Sequence, residues 1–314
     1  MHANPVISFI IPAFNEQKHL SLCLNSIKHF FKEQEREIIV IDNGSTDDTV
    51  IIAEELGAQV IINREASIAR MRNLGAEQAV GDIFIFLDAD IELTEQWFLA
   101  FNPIKQRVLT ESLLTGSQAA VPSPAKFIEK YWFEEFYKKR EVSHLGSAHL
   151  ITSKNTFNKI NGFNEALETG EDYDFCQRAK SLNIIIENNI ELKVIHYGFP
   201  NTLRDFIKRE SWHGKGDLID INTFLQSKVA ITSVCFLLAH LGVIFGVLAN
   251  LKWLIGASIV SLVTLLALST WHKYAHSKLL PLSINFFIYY FYFSGRVLSI
   301  FIVLFDKVSK QKTS

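Results

Sequence analysis

The chain of 314 residues has few cysteines and lacks the glycine-rich loops that commonly hold nucleotide phosphates. Cys23, Cys176 and Cys235 are widely spaced and form no C-x-x-C pair, which excludes a disulfide framework and favours packed thiols in a reducing compartment. A dinucleotide-binding fold requires G-x-G-x-x-G after the first strand, but PAFNE stands there, and no G-x-x-x-x-G-K-[ST] occurs anywhere. A nucleotide in this protein therefore needs another partner for its phosphates.

Acidic residues are almost absent from the C-terminal part. From Gln226 onward Asp306 is the only acid, against eight lysines and arginines, so this part carries +7. The whole chain carries −2, which leaves −9 for residues 1–225. A net-acidic first part does not favour a nucleic-acid partner.

The C-terminal part contains three long apolar segments, at residues 229–250, 254–270 and 282–305. The first and third are long enough to span about 30 Å of hydrocarbon, and Trp253 and Trp271 flank the shorter second segment like interfacial anchors. Periodicity alone leaves buried core helices as an alternative. Because the gap between the first two segments is short, we expect them to form an antiparallel helical hairpin.

The segment before the first strand carries no signal-peptide pattern, because residues 1–5 lead directly into that strand. We therefore expect a multi-pass protein of the inner (plasma) membrane whose first 225 residues stay in the cytosol. Three spans would place the C-terminus outside, yet Lys307, Lys310 and Lys312 follow the third segment, against the positive-inside tendency. The sequence leaves the side of the C-terminus open.

Apolar segments followed by polar turns recur through the first 90 residues. Their alternation with helical stretches predicts a parallel sheet with right-handed crossovers, so the polar turns should meet at one edge. Ser45 or Thr46 is the predicted cap of the second helix. The predicted strands are 6–11, 38–41, 60–62 and 83–87, and the predicted helices are 16–32, 46–56 and 66–80.

The fourth strand, IFIFL, is followed by two aspartates one residue apart, Asp88 and Asp90. A continuous apolar run suits a strand buried on both faces, and open α/β sheets bind ligands beyond such strand ends. On an extended backbone both carboxylates point the same way, which suits a divalent cation that holds a diphosphate. A strand end with an aspartate helix cap is the simpler alternative for an isolated D-x-D. The other turns at the same edge favour a site for a nucleotide diphosphate with a cation.

Five ordered motifs extend this pattern: IIPAFNE, VIDNGSTDDT, ARMRNLGAEQAVGDIFIFLDAD, GFNEALETGEDYDF and IHYG. Over about residues 6–200 the chain resembles glycosyltransferase family 2. The resemblance implies an α/β fold of the GT-A type, a Rossmann-like nucleotide-diphospho-sugar transferase domain. It also implies a nucleotide-sugar donor, a divalent cation (Mn²⁺ or Mg²⁺) and usually inversion at the anomeric carbon, but it fixes neither the sugar nor the acceptor.

The resemblance implies donor-binding roles in the first three motifs. The turn that starts at Pro12 would lie against the nucleoside, with Phe14 either at the base or in the core, and Asp42 would accept a hydrogen bond from a base N–H. Arg72 matches the arginine of the family's A-R-N-x-G stretch, although a methionine replaces the usual alanine, and Arg70 competes with it. The donor-binding candidates are Pro12, Phe14, Glu16, Asp42, Arg70, Arg72 and Asp88.

The same resemblance implies a metal site. Asp88 would lie near the ribose, and Asp90 would be the direct metal ligand. His196 ends the strand-like VIHYG run, and in several GT-A enzymes a histidine at the matching place helps hold the metal or the phosphates. A lone histidine is more often structural, so both readings of His196 remain open.

Inverting transfer needs a carboxylate that takes the proton of the acceptor hydroxyl. In the family pattern this base is the aspartate of the E-D motif, here Asp172, and Glu171 is expected to position it. Asp174 is expected to be a capping or structural carboxylate. The GFNE turn at 162–165 and the Gly146-Ser147 pair resemble the lining of the acceptor pocket.

Two amphipathic stretches, 126–140 and 201–217, are candidates for contact with the acceptor. The first is expected to cover the sheet, or otherwise to lie at the membrane surface or in the acceptor cleft. The second contains RESWHGKG where processive members carry Q-x-x-R-W, and the match is only partial. Its candidates for the acceptor or the diphosphate are Arg209, Trp212, His213 and Lys215.

We therefore predict a metal-dependent inverting glycosyltransferase with a GT-A catalytic domain over 1–225 and a C-terminal transmembrane helical region over 226–314. The expected partners are a UDP- or GDP-sugar donor, a lipid-linked or saccharide acceptor and membrane lipids, in cell-envelope or exopolysaccharide biosynthesis, with no nucleic acid. A processive polysaccharide synthase and a non-catalytic nucleotide-sugar-binding membrane scaffold are the alternatives. A sugar nucleotidyltransferase would need a G-x-G-x-R loop after the first strand, which is absent.

Overall fold

A computed structural model describes residues 6–137 and 144–313, with side chains described as far as residue 305 apart from Gln34. Part of the predicted stretch 126–140 therefore lies outside the described residues. The described chain divides into two compact units: residues 6–123 with 144–199, and residues 124–137 with 200–313. The boundary predicted at residue 225 between a catalytic domain and a membrane region stays a prediction.

The strands all belong to the first unit. In chain order they are β1 (Ile7–Ala13), β2 (Arg36–Asp42), β3 (Gln59–Ile62), β4 (Ile83–Leu87), β5 (Ile91–Leu93), β6 (Leu113–Gly116), β7 (His149–Ser153), β8 (Ile185–Asn188) and β9 (Val194–His196). Within the described part, seven of them form one sheet in the order β3-β2-β1-β4-β7-β6-β8, and β5 pairs with β9.

The sheet is mixed. β1 runs parallel to β2 and β4, and β2 runs parallel to β3, as the strand–helix alternation predicts. β7 runs antiparallel to both β4 and β6, while β8 is parallel to β6. The prediction of a parallel sheet was made for the first four strands, and it is confirmed for them. The strands that follow make the sheet mixed. The later strands lack the regular alternation with helices on which the prediction rested.

The helices of both units follow in chain order. They are α1 (Leu20–Phe30), α2 (Thr49–Glu55), α3 (Ile68–Gln78), α4 (Glu95–Thr110), α5 (Glu135–Tyr137), α6 (Lys154–Ile160), α7 (Glu171–Ser181), α8 (Leu203–His213), α9 (Ile221–Gln226), α10 (Lys228–Leu248), α11 (Lys252–Tyr274) and α12 (Leu279–Thr313). The three helices predicted within the first 80 residues correspond to α1, α2 and α3, each beginning two to four residues later than predicted.

The predicted cap of α2 is wrong. Asp48 holds the N-cap position, and its side chain makes no capping hydrogen bond. Ser45 Oγ instead donates to Asp42 Oδ2 at 2.5 Å, and Thr46 N donates to Asn15 Oδ1 at 2.9 Å. These hydrogen bonds stabilise the turn at the end of β2 and tie it to the turn at the end of β1.

Helix α3 lies directly on the parallel strands. A Cβ on Gly75 would lie 2.4 Å from Ile10 Cγ2 and 2.7 Å from Ile41 Cδ1, so only glycine allows this approach. Ser67 caps the helix by accepting a hydrogen bond from Arg70 N at 3.2 Å. The close packing brings the buried Arg72 side chain, on the same helix, to the carboxyl ends of the strands.

The second unit contains α8–α12 and the segment 124–137. This segment forms a π-helical turn at Glu129–Glu134 that continues into α5. Its buried Trp132 contacts aromatic rings on three helices, namely Phe206, Tyr274, Tyr289 and Tyr292. Side chains of Tyr274 and Asn285 donate to the carbonyl oxygens of Trp132 and Tyr131 at 2.9 and 2.7 Å. The described part of the segment thus packs on the helices of the second unit, and its expected place over the sheet stays a prediction.

Among the described residues, three helices are long and apolar enough to cross a membrane: Lys228–Leu248, Lys252–Tyr274 and Leu279–Phe305. They correspond to the three apolar segments of the sequence. The first two form the expected hairpin, since Gly242 and Gly246 of α10 lie against Ser258 and Ile255 of α11. Close glycine contacts of this kind let apolar helices approach within a membrane.

Candidate active site

The carboxyl ends of β1, β2 and β4 lie side by side, because Ala13 pairs with Asp42 and β4 runs parallel to β1. The turns that follow them therefore meet at one edge. The sequence predicted an extended backbone at Asp88 and Asp90, and this is wrong. The two residues lie in a turn that is closed by a hydrogen bond from Ile91 N to Asp88 O at 3.1 Å. The turn still brings the two carboxylates together, as predicted, although the backbone between them is not extended.

The short β5–β9 pairing brings His196 to this turn. Ile91 lies opposite His196, so the imidazole is next to the residue that precedes β5. His196 Nε2 lies 3.1 Å from each carboxylate oxygen of Asp90. Asp88, Asp90 and His196 each offer one ligand atom, and these atoms lie within 4.8 Å of one another. Asp88 and Asp90 thus form one candidate metal centre with a histidine that lies 106 positions after Asp90 in the chain.

The charges at this point suit a divalent cation. Asp90 Oδ1 is buried and forms no hydrogen bond with the described residues; His196 Nε2 lies 3.1 Å from it but is hydrogen-bonded to Oδ2. Burial alone would raise the pKa of Asp90, but the neighbouring His196 outweighs it and lowers that pKa, so the carboxylate stays ionised. Burial and the charges of Asp90 and Asp88 raise the pKa of Glu16 to about 7. Converging oxygen ligands with one imidazole are a donor set that Mn²⁺ or Mg²⁺ accepts.

Gly198 leaves room for these side chains. A Cβ at this position would lie 1.8 Å from Asp90 Oδ2 and 3.1 Å from His196 Nε2. The IHYG motif therefore requires glycine at this position for a steric reason, because any side chain would displace the Asp90 carboxylate.

Arg72 joins the candidate metal centre to the candidate base. It is 2% exposed. Its Nη2 donates to Asp88 Oδ1 at 2.7 Å, and its Nη1 donates to Glu171 Oε1 at 2.8 Å. Ser147 Oγ also donates to Glu171 Oε1, at 2.9 Å. These bonds fix Asp88 and the start of α7 relative to each other, an arrangement that the sequence did not indicate.

Asp172 lies beside this network in the first turn of α7. Burial and the Glu171 charge raise the pKa of Asp172, so its carboxylate is a stronger base than an ordinary aspartate. Tyr173 N donates to its Oδ1 at 2.7 Å. Asp174 has the structural role expected of it, because its Oδ2 accepts a hydrogen bond from Arg178 Nε at 2.8 Å.

The candidate nucleoside-binding residues lie at the ends of β1 and β2. Asp42 is buried, and it accepts hydrogen bonds from Gly44 N and Ser45 N at 2.8 Å and from Ser45 Oγ at 2.5 Å. It therefore shapes the DNGS turn, and its contact with a base stays a prediction. Phe14 is 54% exposed, which excludes its alternative role in the core.

The other donor candidates have different surroundings. Pro12 lies within β1, opposite Ile41 of β2. Arg70 is on the surface, where its Nη1 donates to Glu77 at 2.8 Å and to Glu165 at 3.2 Å. Glu16, predicted to contact the nucleoside, lies within the electrostatic reach of Asp88 and Asp90. The position of Glu16 in the turn after β1, at the edge where β4 also ends, was the signal that could have linked it to the metal candidates.

The four acceptor or diphosphate candidates belong to the second unit. Arg209 Nη1 donates to Glu210 Oε1 at 3.0 Å. Burial lowers the pKa of His213 to about 3, so it is neutral at physiological pH and cannot offer a positive charge to a diphosphate. Trp212 is 45% exposed. Lys215 follows α8, and the predicted roles of all four residues remain predictions.

Comparison with known proteins matches residues 8–101 to the model of Glycosyl transferase family 2. Glycosyltransferase AglE of Haloferax volcanii is 26% identical over 233 residues, which cover 68% of this chain and 73% of that protein. The PGL/p-HBAD biosynthesis glycosyltransferase of Mycobacterium bovis is 27% identical over 226 residues, which cover 66% and 84%.

A solved structure of another protein resembles the fold over nearly the whole chain. It is the mannosyltransferase PcManGT from Pyrobaculum calidifontis in complex with GDP-Man and Mn²⁺, with a TM-score of 0.57. The two chains are 14% identical, and the similarity covers 95% of this chain and 88% of the other. At this identity the similarity supports the GT-A fold and leaves the substrates to be inferred from the site.

Proposed function

We propose, from the premise that this chain is a glycosyltransferase with a family 2 domain, that it moves a sugar from a nucleotide-diphosphate donor to a lipid-linked or saccharide acceptor. The transfer would take place at the cytosolic face of the inner membrane, in cell-envelope or exopolysaccharide biosynthesis. One observation supports this reaction most directly. Arg72 binds both Asp88 of the candidate metal centre and Glu171, the neighbour of the candidate base.

Asp90 and His196, with Asp88 beside them, would hold a divalent cation, either Mn²⁺ or Mg²⁺. When bound, such an ion offsets the negative charge of the donor diphosphate and of the leaving nucleotide. The protein side of this assignment rests on the buried Oδ1 of Asp90, which forms no hydrogen bond with the described residues, and on the ligand atoms of Asp88, Asp90 and His196, which lie within 4.8 Å of one another.

Asp172 would act as the general base. Its carboxylate takes the proton of the acceptor hydroxyl while the hydroxyl oxygen bonds to the anomeric carbon. The bond from the anomeric carbon to the diphosphate oxygen breaks in the same step, and its electron pair leaves with the nucleoside diphosphate. A single displacement of this kind inverts the anomeric configuration. Glu171 is held by Arg72 and Ser147, so it positions α7 and leaves Asp172 free to react.

The three apolar helices would anchor the catalytic part at the membrane, where a lipid-borne acceptor diffuses laterally. Lys228–Leu248 and Lys252–Tyr274 have the length and hydropathy of spans, and Leu279–Phe305 is the third. Anchoring restricts the search for the acceptor to two dimensions. This arrangement favours a lipid-linked acceptor over a soluble saccharide.

The full chain, purified in detergent, tests the proposal with a panel of UDP- and GDP-sugars and an extract of membrane lipids. We expect one donor to give both nucleotide release and a glycosylated lipid, with the anomeric configuration of the product inverted by NMR. A non-catalytic scaffold would bind donor without nucleotide release, and a processive synthase would give products with many added sugars. Either result would contradict the proposal.

A further inference from the structure

Helix α12 has the length and hydropathy of a membrane span, but its contacts within the second unit tie it to one face of the membrane. Helices α10 and α11 form an antiparallel hairpin, with Gly246 of one packed on Ile255 of the other. If both helices cross the membrane, the start of α10 and the end of α11 lie on the same face. This face, at which α10 begins, is the entry face of the hairpin.

The first part of α12 stays beside the end of α11. Just before α12, His276 Nε2 and Ser277 Oγ donate to Glu135 O and Oε2 at 2.8 and 2.7 Å. Further along the helix, the ring centre of Tyr289 lies 6.3 Å from that of Tyr274, the last residue of α11. Both ends of this part of α12 are therefore at the entry face.

The next part of α12 lies beside the start of α10. Arg296 and Ser299 line a small cavity together with the first two turns of α10. The residues of α10 in this lining are Ala230 and Ser233. Arg296 Nη1 also donates to Asp217 Oδ2 at 3.2 Å, in the 3-10 turn that precedes α9. This part of α12 is therefore at the entry face as well.

A third crossing conflicts with these positions. A helix needs about 20 residues to cross a bilayer, and any such stretch within Leu279–Phe305 begins no later than residue 286. In a crossing helix, Ser299 would then lie about 20 Å or more beyond the entry face. Its contact with α10 places it within two turns of the start of that helix, roughly 11 Å. These positions favour an α12 that runs along the entry face.

The neighbouring helix α8 favours the same placement. It packs closely along α12, because a Cβ on Gly295 would lie only 2.8 Å from Ile207 O. Exposed charges on α8 come from Arg204, Asp205 and Lys208. A crossing α12 would carry these charges into the hydrocarbon, where each is costly, whereas an α12 at the surface leaves them in water.

The exposed face of α12 suits the membrane interface. Its large exposed side chains recur at helical spacing and are apolar: Leu280, Phe287, Leu298, Phe301 and Phe305. Tyr290, beside them, points toward the membrane interior, since its hydroxyl lies 3.3 Å from His240 Nε2 of α10. A helix with one apolar face lies in the membrane plane with that face about 5–10 Å below the headgroups.

The lysines of the C-terminal part support this placement. If α12 lies along the entry face, six of the seven lysines after Gln226 are on that face, and Lys252 beside the hairpin turn is on the other. With three crossings the division would be three against four, contrary to the positive-inside tendency.

We propose that the chain crosses the membrane twice, and that α12 is an interfacial helix whose partner is the lipid surface of the entry face. The residues after Phe305, with their three lysines, then lie on the face where α10 begins. The number of crossings follows from contacts within the second unit and does not depend on the reaction. Only the assignment of the entry face to the cytosol rests on the proposed function.

Cysteine labelling of the full chain tests the number of crossings. In a Cys235→Ser background, whose other cysteines are buried, Ser309→Cys reports the end of α12 and Asn250→Cys reports the hairpin turn. We expect an impermeant maleimide to label Asn250→Cys in intact cells and Ser309→Cys only in inverted vesicles. Labelling of both from the same side, or of Ser309→Cys only after detergent is added, would overturn the proposal. Labelling from opposite sides in the reverse orientation would support two crossings and count against the proposed function alone.

Spin labels test the interfacial position by measuring depth. In the same background, nitroxides are attached at Phe287→Cys and Leu298→Cys on the exposed face of α12, and at Val263→Cys in the middle of α11 as the control. Collision rates with oxygen and with a water-soluble nickel chelate give the depths in vesicles of phosphatidylcholine and phosphatidylglycerol.

We expect both α12 labels at a similar depth within about 10 Å of the headgroups, and the Val263 label near the bilayer centre. A crossing α12 would separate its two labels by about 16 Å along the membrane normal. Such a separation, or an α12 label as deep as the Val263 label, would overturn the interfacial position, provided that the variants melt within a few degrees of the Cys235→Ser background.

Discussion

At the scale of single residues, the candidate site consists of carboxylates that differ in their surroundings. Asp90 is held ionised by His196, while burial raises the pKa of Asp88 despite its bond to Arg72. Burial and Glu171 raise the pKa of Asp172. A carboxylate with a lowered pKa, such as Asp90, is suited to bind a cation, and one with a raised pKa, such as Asp172, is suited to accept a proton.

We predict that Asp172→Asn lowers turnover by about 10²-fold or more, the usual contribution of a general base. The donor should bind as before, because the base contacts the acceptor. The base works only when deprotonated, so wild-type turnover should fall with decreasing pH through a pKa above the ordinary aspartate value of 3.8. Steady-state kinetics over pH 4–8 checks both points. Near-normal turnover of the variant at saturating acceptor would show that another group takes the proton.

Gly198→Ala should abolish metal binding and activity while the fold persists. Its Cβ would lie 1.8 Å from Asp90 Oδ2, so the carboxylate must leave its place beside His196. Gly256→Ala is the matched control, since a Cβ there meets nothing within 4 Å. Binding of Mn²⁺, followed by electron paramagnetic resonance, measures the difference. Equal Mn²⁺ affinity in the two variants would contradict the placement of the site.

At the scale of elements, the site depends on pieces that are brought together from distant parts of the chain. The turns after β1, β2 and β4 meet because parallel strands place their carboxyl ends at one edge, and this much follows from the sequence pattern. The β5–β9 pairing that brings His196 to Asp90 could not be predicted in this way. Each of these strands has only three residues, too few to show a period.

Helix α3 gives an element-scale prediction. Gly75→Ala should destabilise the protein by about 1–3 kcal/mol, the usual cost of overpacking, because the new Cβ would meet Ile10 and Ile41. Gln78→Ala, on the exposed face of the same helix, should be nearly neutral. Thermal denaturation of the full chain in detergent compares the two. Similar melting temperatures would show that α3 moves away from the sheet without cost.

The segment 124–137 shows a second limit of sequence reasoning. Its aromatic and charged residues at helical spacing fit a helix that covers a sheet as well as one that packs on other helices. The choice depends on partners such as Phe206 and Tyr289, which lie far away in sequence. Periodicity describes the face of a helix, but it does not identify what covers that face.

At the scale of the whole molecule, composition was the most informative feature. The near absence of acids after Gln226 and three long apolar segments predicted the three helices that the structure contains in its described part. Composition did not reveal the partners of Arg296. This residue lies within the third apolar segment but binds Glu210 and Asp217. Such a pairing depends on tertiary contacts that neither hydropathy nor residue spacing reports.

The membrane topology can be measured by cysteine labelling. In a Cys235→Ser background, whose remaining cysteines Cys23 and Cys176 are buried, Asn250→Cys reports the turn between α10 and α11. We expect an impermeant maleimide to label Asn250→Cys in intact cells. Leu99→Cys, at a site 63% exposed in the first unit, should be labelled only in inverted vesicles. Labelling of both from the same side would contradict an α10 that spans the membrane.

The most direct test of the central claim is donor-dependent release of nucleoside diphosphate by the full chain. Release is measured with Mn²⁺ or Mg²⁺ and with excess chelator, for the wild type and for Asp90→Asn, which keeps the size of the side chain and removes its charge. We predict release by the wild type that a divalent ion stimulates and chelator abolishes, and no metal-stimulated release by a folded Asp90→Asn. Full activity in excess chelator, or an Asp90→Asn variant as active as the wild type, would contradict a metal-dependent transfer at this site.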